Sequence, residues 1–132
     1  MCGIFALLNY MKYYYKTKKI EDWTIPEPVR VAHKAGKGRG PEDSTLVHYR
    51  RRDVILGFHR LAINGFGRAS AGQPLCRLDC LLICNGEIYN HKELKREIET
   101  KYIFKTNSDT EVILAGFSLF GKDFFKRLNG LL

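Results

Sequence analysis

The second residue of the chain, Cys2, follows the initiator Met1. Removal of Met1, which a small following side chain permits, would leave Cys2 with both a thiol and a free α-amine. An α-amine ordinarily has a pKa of about 7.7–8 and a thiol of about 8.5, so the amine can accept the thiol proton near neutral pH. Cys2 would then be a nucleophile activated by its own amine. The alternative is a cysteine that stands at position 2 by chance.

Asn85 and Gly86 follow an apolar run that is typical of a strand. A side-chain amide beside a backbone N–H can form an oxyanion hole for a tetrahedral intermediate, and the loss of one such donor costs about 10²–10³ in rate. The same dipeptide is also typical of a two-residue hairpin turn. Taken by itself, Asn-Gly favours the turn.

Two charged residues could bind a small ligand. Arg60 ends an apolar strand, and a guanidinium binds a carboxylate through two parallel hydrogen bonds. The alternative for Arg60 is an ordinary arginine on an edge strand. Asp109 stands where a helix begins, and judged alone it is better explained as part of the helix cap.

Three further cysteines are spaced by four residues: Cys76, Cys80 and Cys84. A metal site would show closer ligand pairs and a fourth ligand at a recognisable spacing. These cysteines are therefore interpreted as apolar filler, and no metal is expected.

The apolar patterning predicts strands over residues 3–9, 46–49, 54–59 and 81–84, with a hairpin turn at residues 50–53. Residues 10–28 read as a surface loop or insertion and residues 64–74 as a glycine-rich loop.

Helices are predicted mainly in the second half of the chain. One short helix is expected over residues 29–35, and a second over residues 91–100 is headed by a capping box of Asn90 and Glu93. A third begins at a capping box of Ser108 and Glu111 and runs to about residue 121, with a short helix over 123–128. Strands before helices indicate the α+β class.

Composition limits the class of protein. With 132 residues, 45% hydrophobic and 27% charged, the chain is expected to be one folded domain. It has no apolar run of membrane-spanning length and no secretory signal, so a cytoplasmic protein with reduced cysteines is expected. The net charge of +8 is concentrated at residues 16–19 and 50–52, and polyanion binding is an alternative. No nucleic-acid motif surrounds either cluster, so nucleic acid is not an expected partner.

Six motifs occur in a family order: Met1-Cys2-Gly3-Ile4-Phe5, Arg39-Gly40-Pro41-Glu42-Asp43, His59-Arg60-Leu61-Ala62-Ile63, Gln73-Pro74-Leu75, Asn85-Gly86-Glu87-Ile88-Tyr89-Asn90-His91 and Ser108-Asp109-Thr110-Glu111-Val112-Ile113-Leu114. Together they resemble the class II, N-terminal-nucleophile glutamine amidotransferase domain of glutamine-dependent asparagine synthetases. The resemblance covers nearly the whole chain, apart from residues 10–29.

This resemblance implies hydrolysis of L-glutamine to glutamate and ammonia, with Cys2 as nucleophile and Asn85 and Gly86 as the oxyanion hole. It implies that Arg60 binds the substrate α-carboxylate. Asp109 and Glu87 would bind its α-ammonium. The implied fold is the αββα sandwich, with two antiparallel sheets between helical layers.

The chain also departs from the family pattern. Gly38 stands where histidine is frequent, Glu42 replaces the usual aspartate, and no Ser-Gly-Gly-x-Asp-Ser pyrophosphate loop is present. The resemblance therefore implies an amidotransferase domain over 1–132 that is incomplete at its C-terminal end. No cofactor is expected in this chain, because ATP and magnesium belong to a synthetase domain or chain. Missing strands would expose an edge and predict a homodimer or aggregation. A degenerate, non-catalytic binding or regulatory subunit is the alternative.

Overall fold

The structure, a computed structural model, describes residues 2–9, 24–61, 72–77 and 79–131. The chain divides into two compact units, Met1–Leu61 and Ala62–Leu132. Residues 10–23 of the predicted insertion and 64–71 of the predicted glycine-rich loop lie outside the described residues. The expectation of one domain over 1–132 stays a prediction.

The first unit contains a three-stranded antiparallel sheet. Strands β1 (Gly3–Leu8), β2 (Asp43–Tyr49) and β3 (Val54–Arg60) are arranged in the order β1-β3-β2. The predicted hairpin is confirmed: a 3₁₀ turn, Arg50–Arg52, joins β2 to β3 and ends at Asp53 with a φ of 51°. Aspartate tolerates this left-handed conformation better than most residues do.

Helix α1 (Glu27–Ala35) packs on one face of this sheet through the buried Val29 and Ile55. It begins two residues before the predicted start because Pro28 lies in its first turn, where a missing N–H breaks no helical hydrogen bond. A 3₁₀ turn, Gly36–Arg39, continues the helix toward β2.

The second unit has two small antiparallel sheets. Strand β4 (Leu75–Arg77) pairs with β5 (Cys80–Leu82), and β6 (Glu87–Ile88) pairs with β7 (Gly130–Leu131). The predicted strand over 81–84 therefore begins one residue earlier and ends at residue 82. Because the strand pairs are antiparallel and helices accompany them, the predicted α+β class is confirmed.

Two α-helices and a 3₁₀ helix complete the second unit: α2 (His91–Ile98), α3 (Glu111–Phe120) and Gly121–Arg127. Their core contains Ile88, Leu94, Ile98, Tyr102, Val112, Ile113, Ala115 and Phe124. Gly116 lies inside α3 because a Cβ there would stand 2.1 Å from the Phe124 ring. In the described segments, no helix is long and apolar enough to cross a bilayer.

Both predicted capping boxes are wrong, although the helices they head are present. The Asn90 side chain donates to the Arg127 carbonyl and accepts from the Asn129 N–H, at 2.9 Å each, and makes no cap bond to α2. Ser108 bonds to Thr110, which directly precedes α3. Asn90 is thus used in a tertiary contact that local spacing does not reveal, whereas Ser108 bonds to the second residue after it.

The Glu111 carboxylate, 1% exposed, organises the loop before α3. It accepts hydrogen bonds from the Lys105 N–H (3.0 Å), the Thr106 N–H (2.7 Å) and the Thr106 hydroxyl (2.6 Å). Burial opposes its charge, but the bonds from Thr106 and Lys105 outweigh burial and lower the pKa of Glu111. Burial, together with the Glu111 charge, raises the pKa of Tyr102, whose hydroxyl is also a donor to this carboxylate.

We predict that Glu111→Gln lowers the free energy of unfolding by about 1–3 kcal/mol, because the amide presents N–H groups to backbone donors. Urea unfolding followed by circular dichroism measures the change. The exposed Glu99→Gln is the control and should change stability by less than about 0.5 kcal/mol.

The difference between parent and Glu111→Gln should also depend on pH. The folded pKa lies below the ordinary value of 4.5, so the unfolded chain binds the proton first as pH falls. The advantage of the parent is therefore present above pH 4.5 and is lost as pH falls through the lower, folded pKa. Equal unfolding midpoints at pH 7 would contradict this account.

Candidate active site

The half-buried Cys2 lies at the start of β1, with its sulfur against the backbone of Leu61. The Leu61 N–H donates to Sγ at 3.4 Å, and the thiol donates to the Leu61 carbonyl at 3.6 Å. The N–H can bond a thiol or a thiolate, whereas the carbonyl can accept only from a thiol. Loss of the thiol proton would therefore break the bond to the Leu61 carbonyl and leave the bond from the Leu61 N–H in place.

Arg60 is brought to the same end of the sheet by the register of β1 and β3. Gly3 pairs with His59, so the residue before Gly3 and the residue after His59 come together. Alternation along β3 places Arg60 on the opposite face from His59. The register therefore places Arg60 and Cys2 on the same face of the sheet.

The Arg39-Gly40-Pro41 segment crosses the end of β3 at very short range. A Cβ on Gly40 would stand 2.2 Å from the His59 carbonyl oxygen and 2.6 Å from the Arg60 carbonyl carbon. Two residues later, the Glu42 N–H donates to the Arg60 carbonyl at 3.3 Å. Three of the sequence motifs therefore meet in the first unit, and only glycine fits at the crossing.

Asn85, Gly86 and Glu87 lie in the second unit, between β5 and the start of β6. Because β5 pairs with β4 and β6 with β7, the strands on either side of Asn85-Gly86 belong to different sheets. The hairpin interpretation is therefore wrong. Asn85 is half-buried, whereas Gly86 and Glu87 are exposed, so the segment presents polar groups at the surface of its unit.

Asp109 accepts a hydrogen bond from the Ile88 N–H at 2.7 Å through Oδ2. The bond ties the residues before α3 to strand β6, so Asp109 and Glu87 are held near each other in the second unit. The Asp109 side chain therefore bonds to β6, whereas the sequence taken alone favoured a cap of the following helix. The Asp109 side chain is half-buried, whereas Glu87 is exposed.

Gln73 was not selected from the sequence as a site residue, but it holds the chain just before Asn85. Its buried side chain accepts from the Cys84 N–H at 2.6 Å and donates to the Cys84 carbonyl at 3.1 Å. Both polar groups of one residue are thereby satisfied by a single side chain. The signal available in the sequence was the Gln73-Pro74-Leu75 motif.

The other three cysteines are thiols with different surroundings. Cys84 packs against the core of the second unit and Cys80 is half-buried, as expected for apolar filler. Cys76 is exposed, so the filler interpretation is wrong for that residue. Over the described residues, no group of three or more His, Cys, Asp or Glu side chains could hold a metal ion.

A surface cavity of about 160 Å³ lies elsewhere in the second unit. Leu75, Arg77, Thr106 and Glu111 line it, and none of the six predicted site residues does. The Glu111 oxygens already accept from the loop before α3, so the carboxylate in this cavity is used for structure.

A family model described as a glutamine amidotransferase domain matches residues 1–132. A probable glutamine-hydrolysing asparagine synthetase of Dictyostelium discoideum is 37% identical over 134 residues, which is 98% of this chain and 22% of that protein. The root asparagine synthetase of Pisum sativum is 36% identical over 135 residues (99% and 21%). One of Bacillus subtilis is 41% identical over 96 residues (70% and 15%). The chain spans about a fifth of the length of such relatives.

We predict that Gly40→Ala lowers the free energy of unfolding of the first unit by about 1–3 kcal/mol, because the added methyl group would overlap the backbone of β3. Thermal unfolding measures the loss. Gly38→Ala is the matched control, since a Cβ at Gly38 meets nothing within 4 Å. Two variants of equal stability would show that the crossing at Gly40 is looser than described.

Proposed function

This chain belongs to the glutamine amidotransferase domains of the glutamine-hydrolysing asparagine synthetases, and we propose that it hydrolyses glutamine to glutamate and ammonia with Cys2 as nucleophile. The observation that carries the proposal is the position of the Cys2 sulfur against the Leu61 backbone, at the end of the strand that carries Arg60. Removal of Met1 would complete the pairing of thiol and α-amine.

In the proposed reaction, the Cys2 amine accepts the thiol proton and the thiolate attacks the side-chain amide carbon of glutamine. The Asn85 amide and the Gly86 N–H stabilise the resulting oxyanion. Collapse of the intermediate breaks the C–N bond, and the amine returns the proton to the leaving nitrogen, which departs as ammonia. Water then cleaves the thioester, with the amine as base, to release glutamate and restore the thiol.

Substrate orientation would come from charge at the two ends of one small zwitterion. Arg60 would bind the α-carboxylate through paired hydrogen bonds, and Asp109 with Glu87 would bind the α-ammonium. Fixing both ends leaves the side-chain amide to reach the sulfur, which converts an encounter in solution into a positioned reaction. The hydrogen bond from Ile88 to Asp109 supports this role, because it holds that carboxylate in one place.

We propose the αββα sandwich as the fold of this domain. The proposal also places the ammonia acceptor, ATP and magnesium in a synthetase domain or chain, since the relatives are about five times as long as this chain. The hydrolysis itself needs only water and the protein groups named above.

We predict that Cys2→Ala lowers kcat for glutamate release by about 10³-fold or more, because no other group replaces the nucleophile. Alanine keeps a small second residue, so Met1 removal and the free amine are unchanged. The exposed Cys76→Ala is the control and should retain parental activity. A coupled glutamate assay gives the rates, and the intact mass of each protein reports whether Met1 has been removed.

Equal glutamate release by the parent and by Cys2→Ala would contradict the assigned nucleophile. A parent that keeps Met1 and does not hydrolyse glutamine would favour the alternative, a non-catalytic binding or regulatory subunit, because an acylated amine cannot act as the base.

A further inference from the structure

Two imidazoles that the proposed mechanism does not use are buried together in the first unit. His33, from α1, and His59, from β3, are 7% and 2% exposed. Their rings are stacked, with centroids 4.0 Å apart and planes inclined by 19°. Burial disfavours charge on an imidazole, so the placement of two imidazoles in contact in the core requires a structural explanation.

The hydrogen bonds of His59 define its tautomer. Its Nε2 lies 2.7 Å from the carbonyl oxygen of His33, which can only accept, so Nε2 carries the proton. Its Nδ1 lies 2.7 Å from the Ser44 hydroxyl, which donates to it when the ring is neutral. One side chain on the central strand is therefore bonded to the last turn of α1 and to strand β2.

The end of α1 is suited to this bond. Carbonyl groups in the last turn of a helix have no partner four residues further on, so they are open to other donors. The His33 carbonyl accepts from the Gly36 N–H and from His59 together. The His59 imidazole thus completes the cap of α1 while it fixes the helix to the end of β3.

The backbone packs closely against the histidine pair at two glycines. A Cβ on Gly57 would stand 2.4 Å from the His33 ring, and a Cβ on Gly36 would stand 3.1 Å from the His59 ring. Burial, and after it the neighbouring His59, lowers the pKa of His33, against a raising effect of a backbone hydrogen bond at Thr45. The His33 ring is therefore expected to be neutral at neutral pH.

The same strand connects the pair to the proposed nucleophile. His59 pairs with Gly3, the residue after Cys2, and Leu61, two residues after His59, contacts the Cys2 sulfur. The bond from His59 to α1 therefore fixes the end of β3 at which the Leu61 N–H meets the sulfur.

We propose that His59 is a positioning residue of the glutaminase reaction: its Nε2–H bond to the last turn of α1 holds the Leu61 backbone against the Cys2 sulfur. This role rests on the proposed function, and His59 acts through Leu61 without touching substrate. The stack with His33 holds the imidazole in the orientation that the bond requires.

The test compares two amides that differ by one methylene group. In His59→Gln the amide can reach the position of the imidazole Nε2 and donate to the His33 carbonyl; in His59→Asn it reaches only the position of Nδ1. We expect Gln to retain kcat within about threefold and Asn to lose about 10–100-fold, since small misplacements of reacting groups have effects of this size. Circular dichroism at the assay temperature establishes that both variants are folded.

A measurement on the parent keeps the proposal testable if His59→Asn does not fold. The ¹⁵N shifts of the neutral His59 ring should show a protonated Nε2 and a bare Nδ1. The opposite tautomer would overturn the proposal, and so would a folded Asn variant with the kcat of the Gln variant. A parent without glutaminase activity would instead refute the proposed function. The two failures are thus distinguishable.

Discussion

Among the described residues, strand β1 pairs with β3, and the position of Cys2 depends on that ladder. Cys2 directly precedes β1, so the pairing of β1 with another strand holds it in place. The ladder places Gly3 opposite His59, and the Leu61 backbone then meets the sulfur directly. A shift of one residue would move Cys2 to the other face of the sheet. Register, more than any single contact, is therefore what the proposed chemistry requires.

The second unit holds its loops by a different means. Short strands provide few ladder bonds there, and buried side chains satisfy the backbone of the loops that carry the polar residues. Gln73 bonds both groups of Cys84 just before Asn85, Asp109 bonds Ile88 just after Glu87, and Glu111 satisfies the loop that leads into α3. Each bond is made in a half-buried or buried setting, where an unmet polar group would be costly. The positions of the residues proposed to bind the oxyanion and the substrate ammonium therefore rest on these side chains.

Two residues of the family motifs, Gly40 and His59, have no chemical role in the proposed reaction. The structure gives Gly40 a packing role and His59 a hydrogen-bonding role. Gly40 occurs in the Arg-Gly-Pro motif because the chain there passes within contact of the β3 backbone. His59 precedes the proposed carboxylate-binding arginine and bonds the end of α1. The Glu42 that departs from the family pattern is exposed, and its contact with Arg60 is made by the backbone N–H, which aspartate would supply equally. That departure therefore leaves the described contact intact.

The sequence alone determined the α+β class, the hairpin of β2 and β3, the three α-helices and the family, because periodicity and ordered motifs are local properties. It did not determine the end of each element or the use of the capping residues. Asn90 and Ser108 have cap-forming spacing, but tertiary packing gives Asn90 a partner in a distant segment, and Ser108 bonds to Thr110. The hairpin at Asn85-Gly86 was wrong because β5 pairs with the strand before it, β4, whereas β6 pairs with β7, which is distant in sequence. The convergence of Cys2, Gly40 and His59 was likewise decided only by the fold, since strand register and the close approach of two backbones have no local signature.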